Sequence, residues 1–131
     1  NMADYFHHWL DMRRKVRHLP RFFHVNWFRK DAEGKFLWPG FGDNMRVLEW
    51  MLKRVQGSVQ GEATAIGILP KQAELNLQDL QMSEADLQTL LTVDADGWRS
   101  ELLAIESYLK TFGDRMPAAL FEELENTRAG L

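Results

Sequence analysis

Cysteine is absent from the 131 residues, which removes disulfides, thiolate metal sites and cysteine nucleophiles together. The lack suits a reducing, cytoplasmic setting. No apolar run approaches the roughly 18 residues that a membrane-spanning helix needs, so no membrane partner is expected. The opening, NMADYFHHWL, has neither an initiator Met nor the charged-then-apolar pattern of a secretory leader, and it is expected to be entered mid-chain. The phosphate-cradling pattern G-x-x-x-x-G-K-[ST] is also missing: the one Gly-Lys pair, Gly34-Lys35, is followed by Phe36 and has no suitable glycine before it. The few serines lie in polar or capping contexts without a strained elbow, so Ser-His-Asp chemistry has no support. No repeat of 20–50 residues and no low-complexity tract occurs. The length fits one region built around one core.

Charge and aromatic content are distributed unevenly. Residues 1–56 carry 11 Lys and Arg against 6 Asp and Glu, whereas residues 57–131 carry 5 against 13. Such a split is compatible with an anionic ligand on the basic part, and equally with ion pairing between the two parts. Eleven of the fifteen aromatic residues lie between Tyr5 and Trp50; the other four are Trp98, Tyr108, Phe112 and Phe121.

The local pattern predicts α+β organisation. Tyr5, Phe6, Trp9 and Leu10 recur at helical spacing over residues 3–12, ending in or near the basic run Arg13, Arg14, Lys15 and Arg17. Residues 22–29 are rich in aromatic and β-branched types and read as a strand. A turn at residues 31–34, with Gly34 at a position suited to positive φ, predicts that residues 35–38 return antiparallel. Asp43 and Asn44 are good N-caps for a helix to Gln56 closed by Gly57, with Met45, Leu48, Met51, Leu52 and Val55 as its apolar stripe and Val47 and Trp50 widening it. Residues 63–69 form a short apolar strand that is expected to need strands from elsewhere. Helices follow at 83–91, with Ser83 and Asp86 resembling a capping box, at 94–112 with Trp98, Leu102, Ile105 and Leu109 on one face, and at 118–128 after Pro117.

Several constellations resolve into ordinary structure. His7 and His8 are adjacent on a helix and diverge by about 100°, so they do not face one ion, and no H-E-x-x-H pattern supports them. Asp94-Ala-Asp96-Gly97 imitates a calcium loop, but a loop with Gly97 at its sixth position would begin at Thr92 and end at Leu103, neither a ligand, which leaves helix capping. The basic run at residues 13–17 is expected to be a solvated, dipole-matched helix end, with no nucleic acid bound. One stretch is unusual. Phe23, Trp27 and Phe28, then Phe36, Trp38 and Phe41, surround a turn and a Gly40-Phe41-Gly42 loop beside Asn44. Aromatic faces can sandwich a purine, glycines let backbone approach a flat ligand, and a carboxamide offers both donor and acceptor to a base edge. On composition the stretch fits an aromatic mini-core, with a base pocket as the alternative.

The same stretch, HVNWFRKDAEGKFLWPGFGDNMRVLEWMLKR at residues 24–54, resembles GTP-dependent phosphoenolpyruvate carboxykinase near its C-terminus. The likeness extends to Tyr5-Phe6-His7-His8-Trp9, to Ala65-Ile66-Gly67-Ile68-Leu69-Pro70 and to Leu75-Asn76-Leu77, and beyond Gln78 it fades to helical character and Trp98. The resemblance implies a lyase of gluconeogenesis that converts oxaloacetate and GTP to phosphoenolpyruvate, GDP and CO2 with manganese and magnesium. By matched position, Phe28, Phe36 and Phe41 would enclose guanine and Asn44 would hydrogen-bond it. The Phe41-Gly42-Asp43-Asn44 segment would line the nucleotide, and Trp27 would back the pocket. Asp43 stands where the family usually has Glu. The resemblance also implies that residues 1–131 are one region of the larger C-terminal α/β nucleotide-binding domain, with a guanine-subsite part at 1–70 and a helical part at 71–131. The phosphate loop, metal ligands and mobile lid would lie upstream, in the rest of the carboxykinase chain, leaving no catalytic residue here. The competing expectation is a stand-alone nucleotide-binding or interaction module without catalysis.

Overall fold

A computed structural model describes all 131 residues as five α-helices, α1 (Met2–Lys15), α2 (Asn44–Gln56), α3 (Glu84–Leu91), α4 (Ala95–Lys110) and α5 (Ala118–Gly130), with a two-stranded sheet, β1 (Glu62–Thr64) and β2 (Gly67–Leu69). The architecture is α+β, as expected. The chain forms two compact units, Asn1–Pro20 with Val93–Leu131, and Arg21–Thr92. None of the helices is long and apolar enough to cross a membrane.

In the first unit α1, α4 and α5 share a core of Ala3, Leu102, Leu109, Met116 and Leu124, flanked by Phe6, Ile105, Phe112 and Phe121. Ala3 and Phe6 supply the inward side of α1, while Tyr5 and Trp9 stay exposed and meet edge-to-face. The helix ends are closed locally. Asn1 Oδ1 accepts the Ala3 N–H, and Asp94 Oδ1 accepts the Gly97 N–H, so the calcium-like sequence is an N-cap. Arg13, Arg14 and Lys15 fill the last turn of α1, where the dipole favours cations, and Asp11 pairs with Arg14 and Lys15. Glu106 accepts from Lys110 and Arg128, which joins α4 to α5 and holds its carboxyl below the ordinary value.

The second unit departs from the sequence expectation in two places. Residues 22–29 are not a strand. The Asn26 side chain accepts the Phe28 N–H at 3.0 Å, and this local bond competes with a ladder. What remains of the hairpin is one antiparallel bridge, Lys30 to Phe36, closed by the Asp31–Gly34 turn, in which Asp31 Oδ1 accepts from Glu33 and Lys35. The segment at 63–69 is not one strand: it folds back on itself in the register Glu62 to Leu69, Ala63 to Ile68 and Thr64 to Gly67.

The apolar stripe of α2 divides by burial. Trp50 is buried and Val47 half-buried, whereas Met45, Leu48, Leu52 and Val55 are exposed along one side. Trp50 turns inward because its indole N–H has a partner there. It donates to Glu74 Oε2 at 2.9 Å, and its ring meets Phe23 edge-to-face. Gly57, in the left-handed conformation, ends the helix as expected.

Glu74 gathers the unit. Its carboxylate accepts from Trp50 and from the backbone N–H groups of Gln60, Gly61 and Lys71. The Trp50 donor, opposed by partial desolvation and reinforced by those of Gly61, Lys71 and Gln60, pulls its pKa from 4.5 to about 2. Because the folded value lies below the unfolded one, this stabilisation is complete above pH 4.5 and is lost as pH falls through about 2. Circular dichroism of the wild type against Glu74→Gln is expected to show the wild type losing stability across that window with a steeper dependence. Parallel curves would remove Glu74 as the cause.

Candidate functional site

The candidate site is the segment from Trp27 to Asn44, which leads into α2. Phe28 and Phe36, the latter a partner in the Lys30–Phe36 bridge, have ring centroids 5.8 Å apart at 62°, an edge-to-face pair. They are 71% and 49% exposed, far more than a shared mini-core would leave them. The Lys30 ammonium lies 5.0 Å from the Phe36 ring centroid, which places a cation beside the exposed pair.

Trp27 takes the opposite role. It is half-buried and lines an apolar cavity of about 180 Å³ with Trp38, Val47, Leu69 and Leu87. That cavity anchors the segment from beneath, with the more exposed phenylalanine rings left outside it.

Phe41 is the most exposed of the site rings, at 96%, and its backbone adopts φ 42° between Gly40 and Gly42. Left-handed backbone on a bulky aromatic costs about 1–2 kcal/mol, and no packing of the Phe41 ring within this unit offsets it. The structure joins Phe28 to Phe36, but leaves the Phe41 ring clear of that pair.

Gly42 and Asp43 complete a 3-10 turn over Phe41–Asp43, and α2 starts at Asn44. Both expected caps are used differently. The Asp43 carboxylate accepts from Arg46 Nε at 2.8 Å, while Arg46 also donates to the Asn76 carbonyl at 2.8 Å. Asp43 therefore clamps the helix start to the Asn76 segment. Asn44 Oδ1 accepts from Trp38 Nε1 at 2.8 Å. Trp38 is a residue that sequence reasoning left without a role; its position six residues before Asn44 was the only available signal.

Two open hollows border this segment. One, of about 490 Å³, is lined by Phe36, Lys35, Asp31, Pro39, Leu80 and Met82. The other, of about 360 Å³, lies beside Gly42, Asp43, Met45, Arg46, Asn76 and Asp79. No three His, Asp or Glu side chains gather closely enough to hold a metal ion, so the manganese and magnesium of the resemblance find no fitting ligand set among these residues.

The segment is α+β, with solvent-facing rings on one side and an anchored side beneath, and comparison with known proteins gives its family. The family model described as the phosphoenolpyruvate carboxykinase C-terminal P-loop domain matches residues 1–130. Phosphoenolpyruvate carboxykinase [GTP] of Chlamydia trachomatis is 48% identical over 132 residues, covering 100% of this chain and 22% of that protein. The enzymes of the same name from Chlamydia muridarum and Treponema pallidum are 50% and 48% identical, each covering 95% of this chain and 21% of the relative. The chain belongs to the GTP-dependent phosphoenolpyruvate carboxykinase family. It spans about a fifth of the length of these curated relatives.

Proposed function

We propose that this chain is the guanine-binding portion of a GTP-dependent phosphoenolpyruvate carboxykinase, an enzyme that turns oxaloacetate and GTP into phosphoenolpyruvate, GDP and CO2. The observation that carries the reading is Phe41, held 96% exposed at a strained φ of 42°. Strain of this kind persists at functional positions, and a flat ligand would repay it by stacking on the ring. Phe28 and Phe36 offer further ring surface, Asn44 offers a carboxamide to the base edge, and Trp27 holds the segment from its buried side. Gly42 and Asp43 line the approach, with Asp43 acting through its clamp on Arg46.

The phosphates, the metal ions and the reacting carbonyl belong to residues outside this segment, so no catalytic step is assigned to these residues. The 131-residue chain by itself is expected to catalyse neither decarboxylation nor phosphoryl transfer. The remaining four-fifths of the carboxykinase chain is its partner. The exposed stripe of Met45, Leu48, Leu52 and Val55 supports that pairing, since a helix that buries Trp50 on one side and shows aliphatics on another is built to be covered.

The test uses the full-length carboxykinase carrying this segment. GTP and GDP are expected to quench tryptophan fluorescence at lower concentration than ATP and ADP, and Asn44→Ala is expected to erase the difference. Equal responses to guanine and adenine nucleotides in the unaltered enzyme would overturn the assignment.

A further inference from the structure

Trp38 is 8% exposed, its ring fixed against the apolar cavity that it shares with Trp27, Val47, Leu69 and Leu87. Its one polar atom, the indole N–H, donates to Asn44 Oδ1 at 2.8 Å. An indole nitrogen can only donate. A carboxamide has two ends, and only the oxygen can face such a donor. Turned by 180°, Asn44 would set its NH2 against the N–H and leave a partly buried donor without an acceptor.

The consequence lies at the other end of the amide. With the oxygen committed to Trp38, Nδ2 is turned away from the indole, and Oδ1 keeps one further lone pair. A purine with a carbonyl at its six position accepts from that NH2. Adenine, with an amine there, meets it donor against donor. Trp38 thus determines which kind of base edge Asn44 can satisfy, without touching the base.

We propose that Trp38 is a positioning residue that sets nucleotide specificity, locking the Asn44 carboxamide in the orientation that accepts six-oxopurines and rejects adenine. This rests on the reading that Asn44 contacts the base. Releasing the lock lets the amide rotate and present its oxygen to adenine's amine, so the effect falls on the ratio of affinities. A merely structural loosening would weaken guanine and adenine nucleotides alike and leave the ratio unchanged.

The experiment measures GDP, IDP and ADP dissociation constants by calorimetry in the full-length carboxykinase carrying this segment. It compares wild type, Trp38→Phe, Asn44→Ala and a form with 3-benzothienylalanine at position 38, which keeps the two-ring shape but replaces the N–H by sulfur. Both Trp38 replacements are expected to lower the preference for GDP over ADP by about tenfold, with IDP following GDP. The isosteric form decides the question if Trp38→Phe does not fold. A wild-type ratio in that form, with the ratio lost in Asn44→Ala, overturns the role of Trp38 alone. A wild-type ratio in both overturns the base contact of Asn44 as well.

Discussion

Gly61→Ala is expected to cost the Arg21–Thr92 unit on the order of 3 kcal/mol, from overpacking together with an unfavourable left-handed backbone. Gly61 sits at φ +67°, and a Cβ there would lie 2.5 Å from Ile68 Cγ2, 2.7 Å from the Leu69 carbonyl oxygen and 3.2 Å from Trp50 Cζ2. The Ile68 methyl can swing aside, but the Leu69 oxygen belongs to paired backbone and Trp50 is tied to Glu74. Any shift that relieves the clash also pulls the Gly61 N–H from Glu74, to which it donates at 3.0 Å. Denaturant unfolding measures the loss. A cost below about 1 kcal/mol would mean that the hairpin yields more easily than its hydrogen bonds suggest.

The second large effect runs in opposite directions for stability and binding. Phe41→Gly is expected to leave the melting temperature unchanged or raise it, because glycine occupies φ 42° without the penalty of about 1–2 kcal/mol and the lost ring touched mainly solvent. In the same full-length variant, GDP affinity is expected to fall by about 5- to 150-fold, the loss of one stacking partner worth about 1–3 kcal/mol. A destabilised variant would show that Phe41 packs on something that offsets its strain. Unchanged affinity would detach Phe41 from the nucleotide.

The sequence made some features legible and concealed others for physical reasons. Helix boundaries were readable because capping is local: Ser83 with Asp86, Asp94 with Gly97 and Gly57 after Gln56 act within one turn of chain. The strand at residues 22–29 was misread because alternating aromatics look alike whether they form a ladder or stand out from a loop, and the Asn26 bond to Phe28 settles the matter one residue at a time. The apolar stripe of α2 was legible, but not which of its residues this unit buries, because a hydrophobic stripe announces that something will cover it, not what. The choice of Trp50 depended on Glu74, 24 residues away. The aromatic segment itself stood out from its residues, but its resemblance to a known family supplied the roles, while the Trp38–Asn44 bond is visible only in three dimensions.

The division of the chain bears on how it is assembled. Arg21–Thr92 is contiguous in sequence, whereas Ala3 of α1 packs with Leu102, Leu109, Met116 and Leu124. Ala3 is therefore about a hundred residues of sequence away from its core partners, so this helical core closes over a longer loop than any pairing inside Arg21–Thr92 requires.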